Sequence, residues 1–465
     1  MAVNKKSKGN DDSNSNTNGN TTKNTSITRW VWNRQVVSPS SVCAGSAVGV
    51  HYKANQGSCQ QRLLNEVQCC LYGRVAPSGF SDFSKVQGHE AIFNLEFSPS
   101  GDILVAACEE NSMLLFDPLT TKNITAVRNA HGDCVNCIRF LDSRTFASGS
   151  DDSTIALWDI RNLKQKVRCL EGHTNWVKSI EYCHRTRRLI SSAFDGAVVS
   201  WDINSYEENG APHEKIFYIE SLMRTRLTPD CTKLVMSTAR GFYIVIHNLN
   251  LSTLNSDLAN VDFVEYHRIA MQEEEDGVRS EQGHWSREAP FTRTRNRAEL
   301  VLDCPEDSKA SCISSLVLHP HGWCMISRYT TREDDAEWTC VHDLQDPLPD
   351  QSLSIRSTTQ PQALKRLMYY TKESTDGRGY IKELSVSPDG RLICSCYGYG
   401  VRLLGFDSKS SELCDIQPHG VRELKQIKYL VKHKSTVLTS RFSPTHCLLA
   451  SGSMCGRVAF YQPKL

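Results

Sequence analysis

The 465-residue chain has almost no excess charge: Lys and Arg total 53 against 52 Asp and Glu, a formal net of +1. That balance calls for neither nucleic acid nor an anionic lipid surface as partner. Long apolar runs are missing too. The least polar stretch near the start, Val36 to Val50, is interrupted by Ser and Pro and is too short to span a bilayer. Met1 to Asp12 carries no apolar segment of the kind that opens a secretory signal. Phosphate-cradling loops are absent, since neither GxxxxGK followed by Ser or Thr nor GxGxxG occurs. Cysteine is plentiful, at 19, but metal-ligand spacing is not. Cys134-x-x-Cys137 has the spacing of half a zinc site with no second pair after it, and residues three apart on a strand face opposite sides. Cys69-Cys70 and Cys394-x-Cys396 are equally isolated. The expectation is therefore no metal, no cofactor, no membrane and no nucleic acid. The thiols are expected to be reduced, many of them buried as small apolar side chains, in a soluble cytoplasmic or nuclear protein.

What is present changes character along the chain. Lys5 to Ser26 is Asn, Ser, Thr, Gly and Lys with almost no apolar residue. It cannot bury enough surface to offset its ordering entropy, so residues 1–59 are expected to be largely disordered. Over 60–78 the pattern becomes helical: Leu63, Leu64, Val67 and Leu71 form one apolar stripe, and Gly73 and Pro77 end it. A short amphipathic helix outside the repeats needs an apolar partner.

From Ile92 onward a triplet of apolar-x-x-apolar-x-apolar returns, beginning at Ile92, Val135, Val177, Leu222, Ile313, Ile381 and Val437. Pro-containing turns follow five of these, and two further short strands end at Phe116-Asp117, Trp158-Asp159, Trp201-Asp202, His247-Asn248, His342-Asp343, Phe406-Asp407 and Tyr461-Gln462. The best-formed unit, Phe146 to Arg161 (FASGSDDSTIALWDIR), is repeated by Leu189 to Asn204 (LISSAFDGAVVSWDIN). Units of about 40–45 residues with this start and finish resemble WD40 repeats, four strands to a blade. The resemblance implies an all-β, seven-bladed β-propeller over 79–465, with long insertions at about 251–310 and 346–375. The gap from Leu222 to Ile313 has room for an eighth blade, but Met271 to Arg297 lacks a strand triplet and reads as an insertion. After the last unit too little chain remains for a fourth strand, and Phe80 to Gln87 is the expected substitute, closing the ring and removing its open edges.

His131, Ser148, Asp152 and Trp158 resemble a Ser-His-Asp catalytic set, and so do His173, Ser191, Asp195 and Trp201 one repeat later. An enzyme needs one such site; the duplication points to structure. In WD40 blades these four positions form an internal hydrogen-bond chain, and the first unit, with Ala106 and Phe116 in place of Ser and Trp, lacks it.

Arg161 is the informative surface residue. At its position, two after the closing Asp, the units carry Leu119, Arg161, Asn204, Asn250, Gln345, Lys409 and Lys464. A guanidinium presents five donors in a fixed plane and suits bidentate docking, though a solvent-exposed or intra-blade ion pair is the plain alternative. The whole box Phe146 to Arg161 is similar to the WDxR signature of WD40 substrate receptors for cullin-4 RING ubiquitin ligases. AIFNLEFSPSG, DCVNCIRFLD, GYGVRLLGFD and FSPTHC also match that family in order and placement. The resemblance implies a non-catalytic subunit that meets an adaptor of the DDB1 type through Trp158, Asp159 and Arg161. It also implies that the stripe Leu63, Leu64, Val67 and Leu71 enters the adaptor's groove while another face captures an unidentified protein substrate. Asn204 stands where a paired second box has Arg. The other readings are a WD40 scaffold of an unrelated complex and an enzyme, which needs one unpaired constellation; none is visible.

Overall fold

The computed structural model describes residues 74–81, 90–205, 212–259, 261–268, 296–305, 310–331, 336–345, 362–363, 366–374, 380–407 and 420–464. Residues 1–59 and the stripe Leu63, Leu64, Val67 and Leu71 lie outside these.

The described strands sort into seven sheets, each built on four antiparallel strands; in six of them these four pair in chain order. The first blade runs Ile92–Phe97, Leu104–Cys108, Met113–Asp117 and Lys122–Val127. The second runs Val135–Phe140, Thr145–Ser150, Ile155–Asp159 and Arg168–Leu170. The third runs Val177–Cys183, Arg188–Ala193, Ala197–Trp201 and His213–Tyr218. Second and third strands such as Leu104–Cys108 and Ala197–Trp201 are buried at every position. A blade is covered on both sides by its neighbours, so these strands read as unbroken apolar or small residues rather than alternating ones. The core is accordingly a set of seams. One packs Val105, Met113 and Leu115 of the first blade against Val135, Ile138, Phe146 and Trp158 of the second. Gly149 serves the next seam, where a Cβ would come within 2.7 Å of Val177 Cγ1.

Closure is made by Val75–Ser81, which pairs with the last strand Val458–Pro463 from Val75↔Pro463 to Ser81↔Val458. The substitute strand is expected at Phe80 to Gln87; Phe80 and Ser81 lie in the observed strand, and 82–87 lie outside the described residues. Val75–Ser81 reads VAPSGFS, with no alternation to mark it as a strand. Pro77 is tolerated because the register shifts between Pro77 and Gly79, and this is the outermost strand of its blade.

The fourth and fifth blades differ from the sequence reading in one respect. Arg297–Val301 and Leu367–Ser374 fall inside stretches expected to be insertions, yet they are fourth strands, pairing with Tyr243–His247 and Ala336–Asp343. Long stretches of sequence separate them from their third strands, so the repeat period gives no sign of them. Gln362–Ala363 adds parallel to Arg297–Val301, and Arg422–Glu423 adds parallel to Leu367–Ser374. Each long connection thus reaches back to cover the outer edge of the preceding blade. In the sixth blade only Ser385–Val386 of the expected triplet Ile381/Leu384/Val386 is strand.

Candidate functional site

Antiparallel order puts the first-to-second and third-to-fourth connections of every blade on one face of the ring. Arg161, just past the third strand of the second blade, belongs to that face. Trp158 anchors the strand end: it is buried, lies near parallel to Phe146 with centroids 6.4 Å apart, and its indole N–H donates to Ser148 Oγ at 2.8 Å. Asp159 then turns outward, and its Oδ1 accepts the Arg161 backbone N–H at 2.9 Å. The same turn recurs where Leu119, Asn204 and Gln345 donate their N–H groups to Asp117, Asp202 and Asp343 at 2.9, 3.1 and 2.9 Å. The carboxylate's first role is therefore to close a turn.

In the second blade a guanidinium returns to that carboxylate. Arg161 Nε donates to Oδ1 at 3.0 Å and Nη2 donates to Oδ2 at 2.5 Å. The side chain remains 66% exposed, and Nη1 has no partner among the described residues. The hydrogen bonds from Arg161 hold the Asp159 carboxyl down at about 2. An ion pair this exposed contributes little to stability. Its consequence is orientation, because the pair limits the rotamers of a long side chain and lowers the entropy lost when the guanidinium is captured. Both plain readings of Arg161, exposed and paired within its blade, describe it, and neither removes its free edge.

The two four-residue chains assemble as internal supports. His131 Nε2 meets Ser148 Oγ at 2.7 Å and Nδ1 meets Asp152 Oδ2 at 3.0 Å. In the third blade His173 meets Ser191 at 2.7 Å and Asp195 at 3.0 Å, while Trp201 Nε1 donates to Ser191 Oγ at 2.7 Å. Each seryl oxygen accepts from indole and donates to imidazole, which leaves Nδ1–H to donate to the carboxylate. Burial pushes the Asp195 carboxyl up, but the His173 hydrogen bond and the N–H groups of Thr174 and Ala197 outweigh it and bring the group to about 2. Asp152 is lowered in the same way. Ser148 and Ser191 are buried with both hydroxyl roles taken, so neither is presented to a substrate.

A third chain escaped the sequence reading. His433 Nε2 meets Ser451 Oγ at 2.7 Å, and Ser451 meets Tyr461 Oη at 3.0 Å. The signal was the interval: Ser to aromatic is ten residues in all three chains, and His to Ser is 17, 18 and 18. Tyr replaces Trp, and Cys455 stands in the turn where the other chains have Asp.

Among the described residues no group of three or more His, Cys, Asp or Glu could hold a metal ion. Burial pushes the Cys134 and Cys137 thiols up to about 11, so neither is a thiolate at neutral pH. No helix among the described residues is long and apolar enough to cross a membrane.

Residues 81–117, 122–159, 164–202 and 424–462 match the family described as WD domain, G-beta repeat. Among solved structures the chain is similar to the Cps50 (Swd1) β-propeller domain of Myceliophteria thermophila, with a TM-score of 0.52 at 13% identity, covering 84% of this chain and 100% of that one. That likeness carries the fold. Among curated proteins it is similar to DDB1- and CUL4-associated factor 10 of Danio rerio, 45% identical over 405 residues that cover 84% of this chain and 78% of that one. The Homo sapiens relative of the same name is 45% identical over 416 residues, 85% of this chain and 73% of its own. Identity at this level over most of both partners settles the kinship: the chain belongs to the DDB1- and CUL4-associated factor 10 family.

Proposed function

We propose that this protein is the substrate-recognition subunit of a cullin-4 RING ubiquitin ligase, working in the cytoplasm, the nucleus or both. It docks an adaptor of the DDB1 type through the face that carries Arg161 and presents a protein substrate for ubiquitination. It is not an enzyme: its Ser-His-Asp sets are buried blade supports, and ubiquitin transfer belongs to other subunits. The observation that carries this reading, beyond kinship, is the Asp159–Arg161 pair, a guanidinium held in place yet mostly exposed. The stripe Leu63, Leu64, Val67 and Leu71, outside the described residues, is proposed as the second contact.

Binding of the purified adaptor to the full chain tests this. Arg161→Ala is expected to weaken binding by about tenfold or more, with the melting temperature unchanged to about 1 °C. Leu64→Asp combined with Val67→Asp is expected to weaken it as well. Full adaptor binding by the variant carrying all three changes would remove this docking surface. No adaptor binding by the wild-type chain would favour a scaffold of some other complex.

A further inference from the structure

We infer that Arg161 is the centre of a cationic collar on the corner where the second and third blades meet, and that the partner surface docked there is an acidic protein face. The inference rests on the docking reading above and adds the chemistry of the partner.

The collar comes from two blades. Arg144 lies in the first-to-second turn of the second blade, and its carbonyl accepts the Ile160 N–H at 2.9 Å, which seats it beside Arg161. Lys164 and Lys166 lie on the loop leading out to the fourth strand, in a segment that returns through Val167 N–H to Leu157 O at 2.8 Å. On the third blade Arg185 and Arg187 occupy the corresponding turn, exposed, with Arg187 O accepting from Asn204 Nδ2 at 3.4 Å. The two blades are tied here by Arg168, whose Nη1 donates to Ser205 O at 2.8 Å and Ile203 O at 3.4 Å.

The nearby carboxylates are already engaged. Asp142 takes the N–H groups of Arg144 and Thr145 at 2.6 and 2.7 Å and the Thr145 hydroxyl at 2.8 Å. Asp202 takes the N–H groups of Asn204 and Ser205 at 3.1 and 3.2 Å. Asp159 holds Arg161. Among the described residues none of Arg144, Lys164, Lys166, Arg185 and Arg187 has a carboxylate within ion-pair distance; Glu207 and Glu208, next in the chain, lie outside them. The seven cations Arg144, Arg161, Lys164, Lys166, Arg168, Arg185 and Arg187 outnumber the three carboxylates Asp142, Asp159 and Asp202, so the described part of this corner is positive where the chain as a whole carries +1. Like charges gathered within a Debye length repel one another, and a surface of opposite sign relieves that cost while steering encounter.

Protein is favoured over a polyanion by what lies among the cations. Val167 is 57% exposed between Lys166 and Arg168. Apolar side chains gain nothing against phosphates, whereas Arg mixed with apolar groups is the make-up of protein interfaces.

The test is the kinetics of purified adaptor on the full chain across salt. The wild-type association rate is expected to fall about tenfold between 50 and 300 mM salt. Arg185→Glu with Arg187→Glu should lower it about tenfold at 50 mM while the dissociation rate stays within about twofold. Arg185→Lys with Arg187→Lys should leave it unchanged. If Arg161→Ala weakens binding and the charge reversal does not slow association, the collar is refuted and the docking reading stands. If the wild-type chain binds no adaptor, both fall. Binding to a DNA duplex or a phosphatidylserine vesicle that is tighter than to adaptor, and lost on charge reversal, would overturn the acidic-protein assignment.

Discussion

His433 is an imidazole kept neutral inside its blade. It is buried against Ser451, and burial together with the nearby charges of Arg457 and Lys432 lowers its pKa from 6.5 to about 4. Below pH 6.5 the unfolded chain takes up a proton that the folded chain refuses. The unfolded state then binds more protons, so stability from this residue is complete above 6.5 and lost as pH falls toward 4. Between pH 7 and pH 5 the loss should be about 2 kcal/mol. Urea unfolding of wild type and His433→Gln at the two pH values checks it; an equal pH dependence in both would show that His433 does not carry the effect. The pairing of His with Ser in this blade was readable from the interval between them. The missing Asp was what hid it, because a chain of three supports looks like a degenerate copy of a chain of four. Arg161 was readable as a position, but its pairing with Asp159 was not, since spacing alone does not say whether a long side chain turns back or outward.

At the scale of strands, the parts that follow the repeat were legible and the parts that close or edge the blades were not. Ile92–Phe97, Val135–Phe140 and Val177–Cys183 announce themselves because their apolar triplet faces the seams between blades. Fourth strands are half exposed, as in Lys122–Val127, and carry no such triplet. Val75–Ser81 is the extreme case: irregular in sequence, yet it supplies the whole outer partner of Val458–Pro463. Its backbone removes an open edge in the seventh blade, and Lys464 N–H adds a bond to Arg74 O at 3.1 Å. Removing residues 1–72 is therefore expected to leave the melting temperature of the propeller within about 2 °C, whereas removing 1–82 should lower it by more than about 10 °C and produce self-association through the exposed strand. Calorimetry and light scattering distinguish the two. A stable monomer after the longer deletion would mean the ring does not depend on this closure.

For the whole molecule, the question is what holds seven blades at fixed angles around a channel. Glu96 of the first blade takes Arg139 of the second at 3.5 Å and Arg441 of the seventh at 2.7 Å. Glu181 of the third takes Arg139 at 3.0 Å and Arg226 of the fourth at 3.2 Å. Arg226 Nε then donates to Leu316 O of the fifth at 3.0 Å. Across the channel Arg224 of the fourth blade pairs with Glu383, whose other oxygen accepts from Ser315 at 3.2 Å. Unbroken from the seventh blade to the fifth, this belt leaves a cavity of about 20 Å³, room for one water. Glu96 and Glu181 are each shared by guanidinium groups from different blades, so the loss of either is not a local event. Glu181→Leu takes the common counter-charge from two guanidinium groups, leaving Arg139 with the longer Glu96 contact and Arg226 without its carboxylate partner, and should lower the melting temperature by about 5 °C. Replacing Arg139 by Met in the same chain removes one of the stranded charges and should recover part of that loss. The double change then costs less than the sum of the singles by about 1 kcal/mol or more. Strict additivity would mean that the cations are satisfied by water alone and that apolar seams, not the belt, set the angles between blades.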